Sequence, residues 1–250
     1  MNSRERREDA CTVLIPAHNE EKTIRAIVEG ALAHVDHVLV VNDGSTDGTV
    51  AALEGLPVEI VDHDDNRGKG RRLAEGLDHA IALGAEAVLT LDADGQHDPE
   101  DIPAFIAAAR KAPGSLVIGD RFEDRASMPK SRAFSIGLGD FFISWATGRR
   151  FRDGQCGMRL YPAVLWHQTG VPEAERSHFI FETAILLCAA DAGFDFVRVP
   201  IKARYQGFVQ RPSHFRPVID TLRIIRTISG FLVRRGLKPR GLLIALGVLR

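Results

Sequence analysis

The chain of 250 residues contains only three cysteines, Cys11, Cys156 and Cys188, an odd number at wide spacing. This excludes a disulfide framework or a CxxC pair. It predicts a reducing compartment, the cytoplasm, with all three thiols as plain buried residues. No stretch approaches the about 20 apolar residues that a bilayer-spanning helix needs; the longest such run near the C-terminus is Leu242 to Leu249. The first ten residues, MNSRERREDA, lack the apolar segment of a secretion signal, so residues 1–10 are expected to form a disordered tail. Three ligand-binding signatures are also missing. Pro16-Ala17-His18-Asn19-Glu20 follows the first apolar run, where a dinucleotide fold would carry GxGxxG. Gly68-Lys69-Gly70 is not a P-loop. His and Cys are nowhere spaced as a zinc site requires.

Hydrophobic residues make up 45% of the chain and charged residues 26%, enough for a sizeable core. The net charge of −1 conceals an asymmetry. From Val197 to Arg250 there are ten Arg and two Lys against one acid, Asp220, so an acidic body precedes a basic C-terminal fifth. Such a segment suits phosphates or an anionic membrane surface. Nucleic acid is not expected, because aromatics there are few and apolar residues dominate.

Over the first 112 residues, buried-strand and amphipathic-helix patterns alternate. Thr12–Ile15, stopped by Pro16, reads as a strand, and Glu20–His34 as a helix. Val38–Val41 is a second strand, and Thr46–Gly55 a helix start. Val58–Val61 and Ala87–Leu91 are further strands, with helices over Lys69–Leu83 and Pro99–Arg110. Alternation of this kind predicts a parallel sheet covered on both faces, with ligands bound beyond the carboxyl ends of the strands. After a strand at 115–119, residues 121–159 read as mixed loop and helix, 178–192 as an apolar helix and 194–201 as a strand. Val218–Leu249 is a basic amphipathic helix broken near Gly236 and Pro239; it could lie on an anionic membrane, pack on the body or pair with another subunit. The expected organisation is one domain over 11–217 and an extension over 218–250. The oligomeric state has no signal.

The segment DADGQHDPED, 92–101, follows the Ala87–Leu91 strand. Asp98, Pro99, Glu100 and Asp101 fit helix-start chemistry: a cap, a first-turn proline and acids at the positive dipole end. Asp92 and Asp94, with Gln96, are instead an all-oxygen set that suits Mg²⁺ or Mn²⁺ holding a diphosphate. Asp43 and Glu20 would lie near enough to read a ribose or base. His97 is expected as a helix-start residue rather than a ligand. Glu182, an acid in an apolar helix, is a candidate site residue. Arg159 is a candidate partner for Asp153. Lys69 and Arg67 either touch phosphate or are solvated.

Several stretches together resemble the family 2 glycosyltransferases, in the branch of the dolichyl-phosphate mannose synthases. They are VLIPAHNE (13–20), VVNDGSTDGT (40–49), NRGKG (66–70), LDADGQHDPEDIP (91–103), GDR (119–121), DGQCGMRLYP (153–162) and FIFETAILLCAADAGFDFVRVPI (179–201). The resemblance implies a GT-A (Rossmann-like) fold, a mixed, mainly parallel sheet flanked by helices, here followed by a basic helical extension. It implies a nucleoside-diphosphate sugar donor and inversion at the anomeric carbon. It places Pro16, His18, Glu20 and Asp43 at the base and ribose, and Asp92, Asp94 and Gln96 at the metal. Arg121, Arg132 and Ser135 fall at or near the acceptor phosphate. A lipid-phosphate acceptor needs no general base, whereas a hydroxyl acceptor would need Asp153 or Glu182. The chain departs from the branch over 204–217, RYQGFVQRPSHFRP, which lacks the usual Lys and carries His214 and Arg216 as candidates to close over the diphosphate. Two alternatives stand beside this reading. A nucleotidyltransferase would want a basic glycine-rich loop after the first strand, which is missing. A non-catalytic nucleotide-sugar binding module would tolerate Asp94→Ala.

Overall fold

A computed structural model describes residues 11–121, 130–176, 180–202, 217–234 and 236–249, with backbone alone for 130–132 and 217–222. The N-terminal ten residues and the segment holding His214 and Arg216 lie outside the described residues. Seven strands form one sheet in the order β3-β2-β1-β4-β6-β5-β7. They are β1 (Cys11–Ala17), β2 (His37–Asp43), β3 (Glu59–His63), β4 (Ala87–Thr90), β5 (Leu116–Asp120), β6 (Arg159–Pro162) and β7 (Phe196–Pro200). Every pairing is parallel except those of β6, which runs antiparallel to both β4 and β5. The flanking helices are α1 (Ile24–Leu32), α2 (Lys69–Ala82), α3 (Ile102–Lys111), α4 (Lys130–Thr147), α5 (Ala163–Thr169), α6 (Ile180–Asp191), α7 (Pro217–Arg234) and α8 (Pro239–Ala245).

The alternation read from the sequence is present, with four differences. β1 does not stop at Pro16 but runs to Ala17, with Pro16 paired opposite Val41. The Leu14 carbonyl accepts the Leu91 amide, so alternate residues of β1 face β4; Pro16 is one of them, and β4 has already ended at Thr90. The missing N–H therefore leaves no ladder bond unmade. Thr46–Gly55 holds only a short 3-10 turn, Ala51–Leu53; Thr49 Oγ1 and Asp47 Oδ2 accept the Glu20 and Glu21 amides of the opposing loop, and Asp47 Oδ1 accepts the Thr49 amide in a local turn. α1 begins at Ile24, later than expected, since Asn19 takes a left-handed φ of 58° and the chain turns before it can coil. The sheet is mixed, as the resemblance implied, but the residue pattern does not locate its antiparallel strand: the four residues of β6 are all buried but begin with an arginine and show no apolar run.

The core is continuous across the sheet. Val13, Leu14 and Ile15 of β1 and Val38 to Val41 of β2 are buried on both faces. α2 lies so close on β1 that a Cβ on Gly76 would come within 2.3 Å of Leu14 Cδ1. Ile224, Ile228, Phe231 and Leu232 of α7 join this same core, against α4 and α6. α8 packs on α4, where a Cβ on Gly241 would meet the Trp145 carbonyl oxygen at 2.2 Å. The stretch beyond 217 is an extension in sequence, yet its apolar stripe completes the body. What it leaves exposed is a second apolar set, including Val233, Leu237, Leu246 and Val248.

Candidate active site

The carboxyl ends of β1, β2 and β4 open on one side of the sheet. Two loops there are stitched together. The Asn19 amide donates to Ser45 Oγ at 2.9 Å, Asn19 Oδ1 accepts from the Thr46 amide at 2.8 Å, and the Glu20 amide donates to Thr49 Oγ1 at 2.7 Å. His18 Nδ1 lies 2.8 Å from the Asp43 carbonyl. Pro16 is buried at the end of β1, while His18 and Glu20 are half-buried at the rim. Asp43 is buried, and its carboxylate is committed within the protein. Oδ1 accepts from the Arg67 amide (2.7 Å) and Arg72 Nε (2.8 Å), and Oδ2 from the Gly68 amide (2.8 Å). Asp43 thus ties β2 to the loop that enters α2.

Lys69 opens α2 and sits between two acids. Its Nζ lies 2.6 Å from Asp92 Oδ1 and 2.9 Å from Glu182 Oε1. Asp92 follows β4, and Glu182 lies in the first turn of α6. Burial works against ionisation of Asp92, but the Lys69 ammonium beside it prevails and holds the carboxyl down at about 2. The same contact runs in reverse: burial opposes charge on Lys69, and the two carboxylates override it and raise its ammonium above the usual range. Lys69 is therefore neither a solvated residue nor aimed at open space. Gly157 makes room for this triad, because a Cβ there would fall 2.6 Å from Asp92 Oδ2 and 3.1 Å from Lys69 Nζ. Asp94 is half-buried, and its Oδ1 accepts the Gln96 amide at 3.0 Å. Asp98 caps the following turn through the Glu100 amide, as the sequence suggested.

His97 stands directly before the Asp98 cap, as expected of a helix-start residue, but it is buried against the crevice. It is 3% exposed, with Nε2 3.7 Å from Cys156 Sγ and Nδ1 3.8 Å from Asp92 Oδ2. Burial, which Asp92 offsets only in part, depresses its imidazole to about 4. Burial likewise pushes the Cys156 thiol up to about 12, so this buried thiol is no nucleophile.

A second couple lies beside the first. Arg121, just after β5, grips Asp153 through its amide (2.9 Å to Oδ2), Nε (2.7 Å to Oδ2) and Nη2 (2.6 Å to Oδ1). Burial alone would raise the Asp153 carboxyl; Arg121 overrides it and holds the group below the ordinary carboxylate range. Asp153 sits at φ 61°, secured by Asp140, which accepts the Asp153 and Gly154 amides at 2.9 and 2.8 Å. The expected partner of Asp153, Arg159, goes elsewhere. It is fully buried and donates to three carbonyls, of Cys156, Glu182 and Gly154, at 2.7, 2.5 and 2.8 Å. Cys156 joins the two couples, with its Sγ 3.7 Å from His97 Nε2 and its amide donating to the Asp153 carbonyl at 3.0 Å. Ser135 is half-buried on α4; Arg132 is on the same helix, its side chain outside the described residues.

Sequence reasoning missed Gly157, Asp140 and the His97–Cys156 contact. Asp140 had a signal, as an acid inside an apolar helix; the other two show only through β6, which brings the 153–158 loop against the β4 end.

The sheet order, the antiparallel β6 and the acidic crevice at the parallel strand ends define a GT-A glycosyltransferase. The Glycosyl transferase family 2 model matches residues 12–159, and the chain belongs to that family. Among its relatives is a UDP-N-acetylglucosamine–dolichyl-phosphate N-acetylglucosaminyltransferase of Methanococcus voltae, 32% identical over 60% of this chain and 68% of that protein. A polyprenol monophosphomannose synthase of Mycolicibacterium smegmatis is 27% identical over 76% of this chain and 75% of its own. Glucosyl-3-phosphoglycerate synthase from Mycobacterium tuberculosis, solved with Mn²⁺, UDP-glucose and phosphoglyceric acid, superposes with a TM-score of 0.64. That match is 20% identical and covers 90% of this chain and 79% of the other, a likeness of fold.

Proposed function

We propose that this glycosyltransferase moves a sugar from a nucleoside-diphosphate sugar to a polyprenyl-phosphate acceptor, with inversion and with Mg²⁺ or Mn²⁺ at the donor diphosphate. The observation that carries the acceptor half is the state of the two carboxylates that could act as base. Both oxygens of Asp153 are held by Arg121, and Glu182 receives the Lys69 ammonium. A hydroxyl acceptor needs a carboxylate poised to take its proton. A lipid phosphate arrives ionised and needs only to be positioned. The relatives named above for dolichyl-phosphate and polyprenol substrates support the same reading.

The donor half rests on Asp92, Asp94 and Gln96, whose oxygens suit a hard divalent cation. Among the described residues no three His, Cys, Asp or Glu side chains form a closed metal cage. A Mg²⁺ that keeps its waters and takes phosphate oxygens needs only one or two carboxylates. Bound there, the metal would offset charge on the leaving nucleoside diphosphate. Lys69 keeps Asp92 ionised and placed. Pro16, His18 and Glu20 face the base and ribose, and Asp43 acts by fixing the 65–68 loop around them. Arg121, Arg132 and Ser135 receive the acceptor phosphate, and His214 and Arg216 close over the diphosphate. The exposed apolar set at the end of α7 and in the turns on either side of α8 holds the enzyme peripherally at an anionic membrane, where such an acceptor resides.

A thermal-shift panel of UDP, GDP and their sugars tests the donor site. One base should stabilise the protein with Mn²⁺, and Asp94→Ala should abolish the effect; ligand at 100 times Kd contributes about 2.7 kcal/mol. A panel in which no nucleotide shifts the melting temperature would sink the donor-site reading.

A further inference from the structure

Over β5 and β7, a cavity of about 220 Å³ that shares no lining residue with the donor loops is lined by arginines. The register explains why they gather. Leu116 pairs with Phe196, Ile118 with Arg198 and Asp120 with Pro200, so these residues project from the same face. The segment after α4, Arg149 to Arg152, lies across that face. Its two ends are pinned by acids. Arg149 Nη1 reaches Asp195 Oδ1 at 2.8 Å, and Arg152 binds Asp120. Phe151 and Phe196 meet edge to face, with ring centroids 4.9 Å apart, and form an apolar floor.

Arg150 and Arg198 are exposed at this cavity. Neither has an acidic partner among the described residues, in contrast to Arg149 and Arg152. Four arginines thus line one small space; two are paired to acids that pin the frame, and among the described residues none answers the other two. Gathering like charges costs energy unless an anion sits among them, and guanidinium forks match phosphate oxygens.

We propose that this cavity is a second anion site that binds a phosphate group through Arg150 and Arg198, separate from the donor crevice. The site does not depend on the donor or acceptor reading. It stands at the end of α4, beside α8, so its phosphate could come from a free small molecule or from a lipid headgroup. The Arg152–Asp120 pair adjoins the Arg121–Asp153 pair in sequence at both members, so an occupied cavity would bear on the acceptor side of the crevice.

The test uses the full-length protein in metal-free buffer with chelator, which disfavours metal-dependent diphosphate binding in the crevice. Inorganic phosphate is followed by ³¹P line broadening, and vesicles of phosphatidic acid in phosphatidylcholine by flotation. The variants are Arg150→Ala with Arg198→Ala and, as a charge control, Arg223→Ala with Arg226→Ala on the exposed side of α7. Circular dichroism establishes that both fold. The cavity variant should lose roughly tenfold or more in affinity for whichever probe binds, as expected for removing charge-assisted hydrogen bonds, and the control should not. Phosphate broadening lost in the cavity variant assigns a free anion; flotation lost without it assigns a headgroup. Equal losses in both variants, or no binding of either probe by the parent protein, would overturn the proposal.

Discussion

Asp92 follows β4 and stands two residues before another carboxylate, and the cation that offsets its charge within the chain is the Lys69 ammonium, 2.6 Å away. The same economy recurs at Asp153, where a buried acid is made tolerable by a bidentate arginine. This pair sets a clear expectation for pH. Because the folded-state value of Asp153 is depressed, its contribution to stability is complete above the unfolded carboxyl value of about 3.9. It is lost as the pH falls through the folded value. Asp153→Asn leaves Arg121 buried without its partner charge and should cost about 3–5 kcal/mol at neutral pH. The gap to the parent protein should close on acidification below about pH 4, as the parent carboxyl takes up its own proton. Urea melts across pH would check this; a gap that stays constant would mean that the pair contributes nothing electrostatic.

Among the elements, α7 and α8 divide between two tasks. The buried residues of α7 fall on one stripe, Ile224, Ile228, Phe231 and Leu232, and fill the space over α4 and α6. Burying a side chain of that size stabilises by about 1.5–3 kcal/mol, so ending the chain near residue 217 should unfold the protein instead of freeing it from a surface. Ile228→Ala should cost about 2–5 kcal/mol, read as a lower urea midpoint. α8 and the turn after it keep Leu246 and Val248 exposed, at 59% and 67%. Leu246→Glu with Val248→Glu should leave the melting temperature unchanged and abolish flotation with anionic vesicles. Retained flotation would remove α8 from the membrane contact.

For the molecule as a whole, the βα alternation up to residue 112 was legible because both periodicities, two and 3.6, were strongly apolar. The strand ends followed, and with them the set Asp43, Asp92 and Asp94. The antiparallel β6 was not legible, since four residues starting with Arg159 carry no period. That strand brings Gly157 and Cys156 to the crevice, and the loop before it brings Asp153 to Arg121, so the second half of the site was hidden with it. The partnership of Lys69 with Glu182 spans 113 positions and leaves no local trace. Pairing preferences were misread for Arg159 because a buried guanidinium can be satisfied by carbonyls as well as by acids.

The central claim is that the acceptor supplies its own negative charge. Transfer of labelled sugar from the donor that the thermal-shift panel selects, with Mn²⁺, to a polyprenyl phosphate and to the matching polyprenol tests it directly. The account predicts product with the phosphate, none with the alcohol, and loss of transfer in Asp94→Ala. Transfer to the alcohol that depends on Glu182 or Asp153, with none to the phosphate, would contradict it.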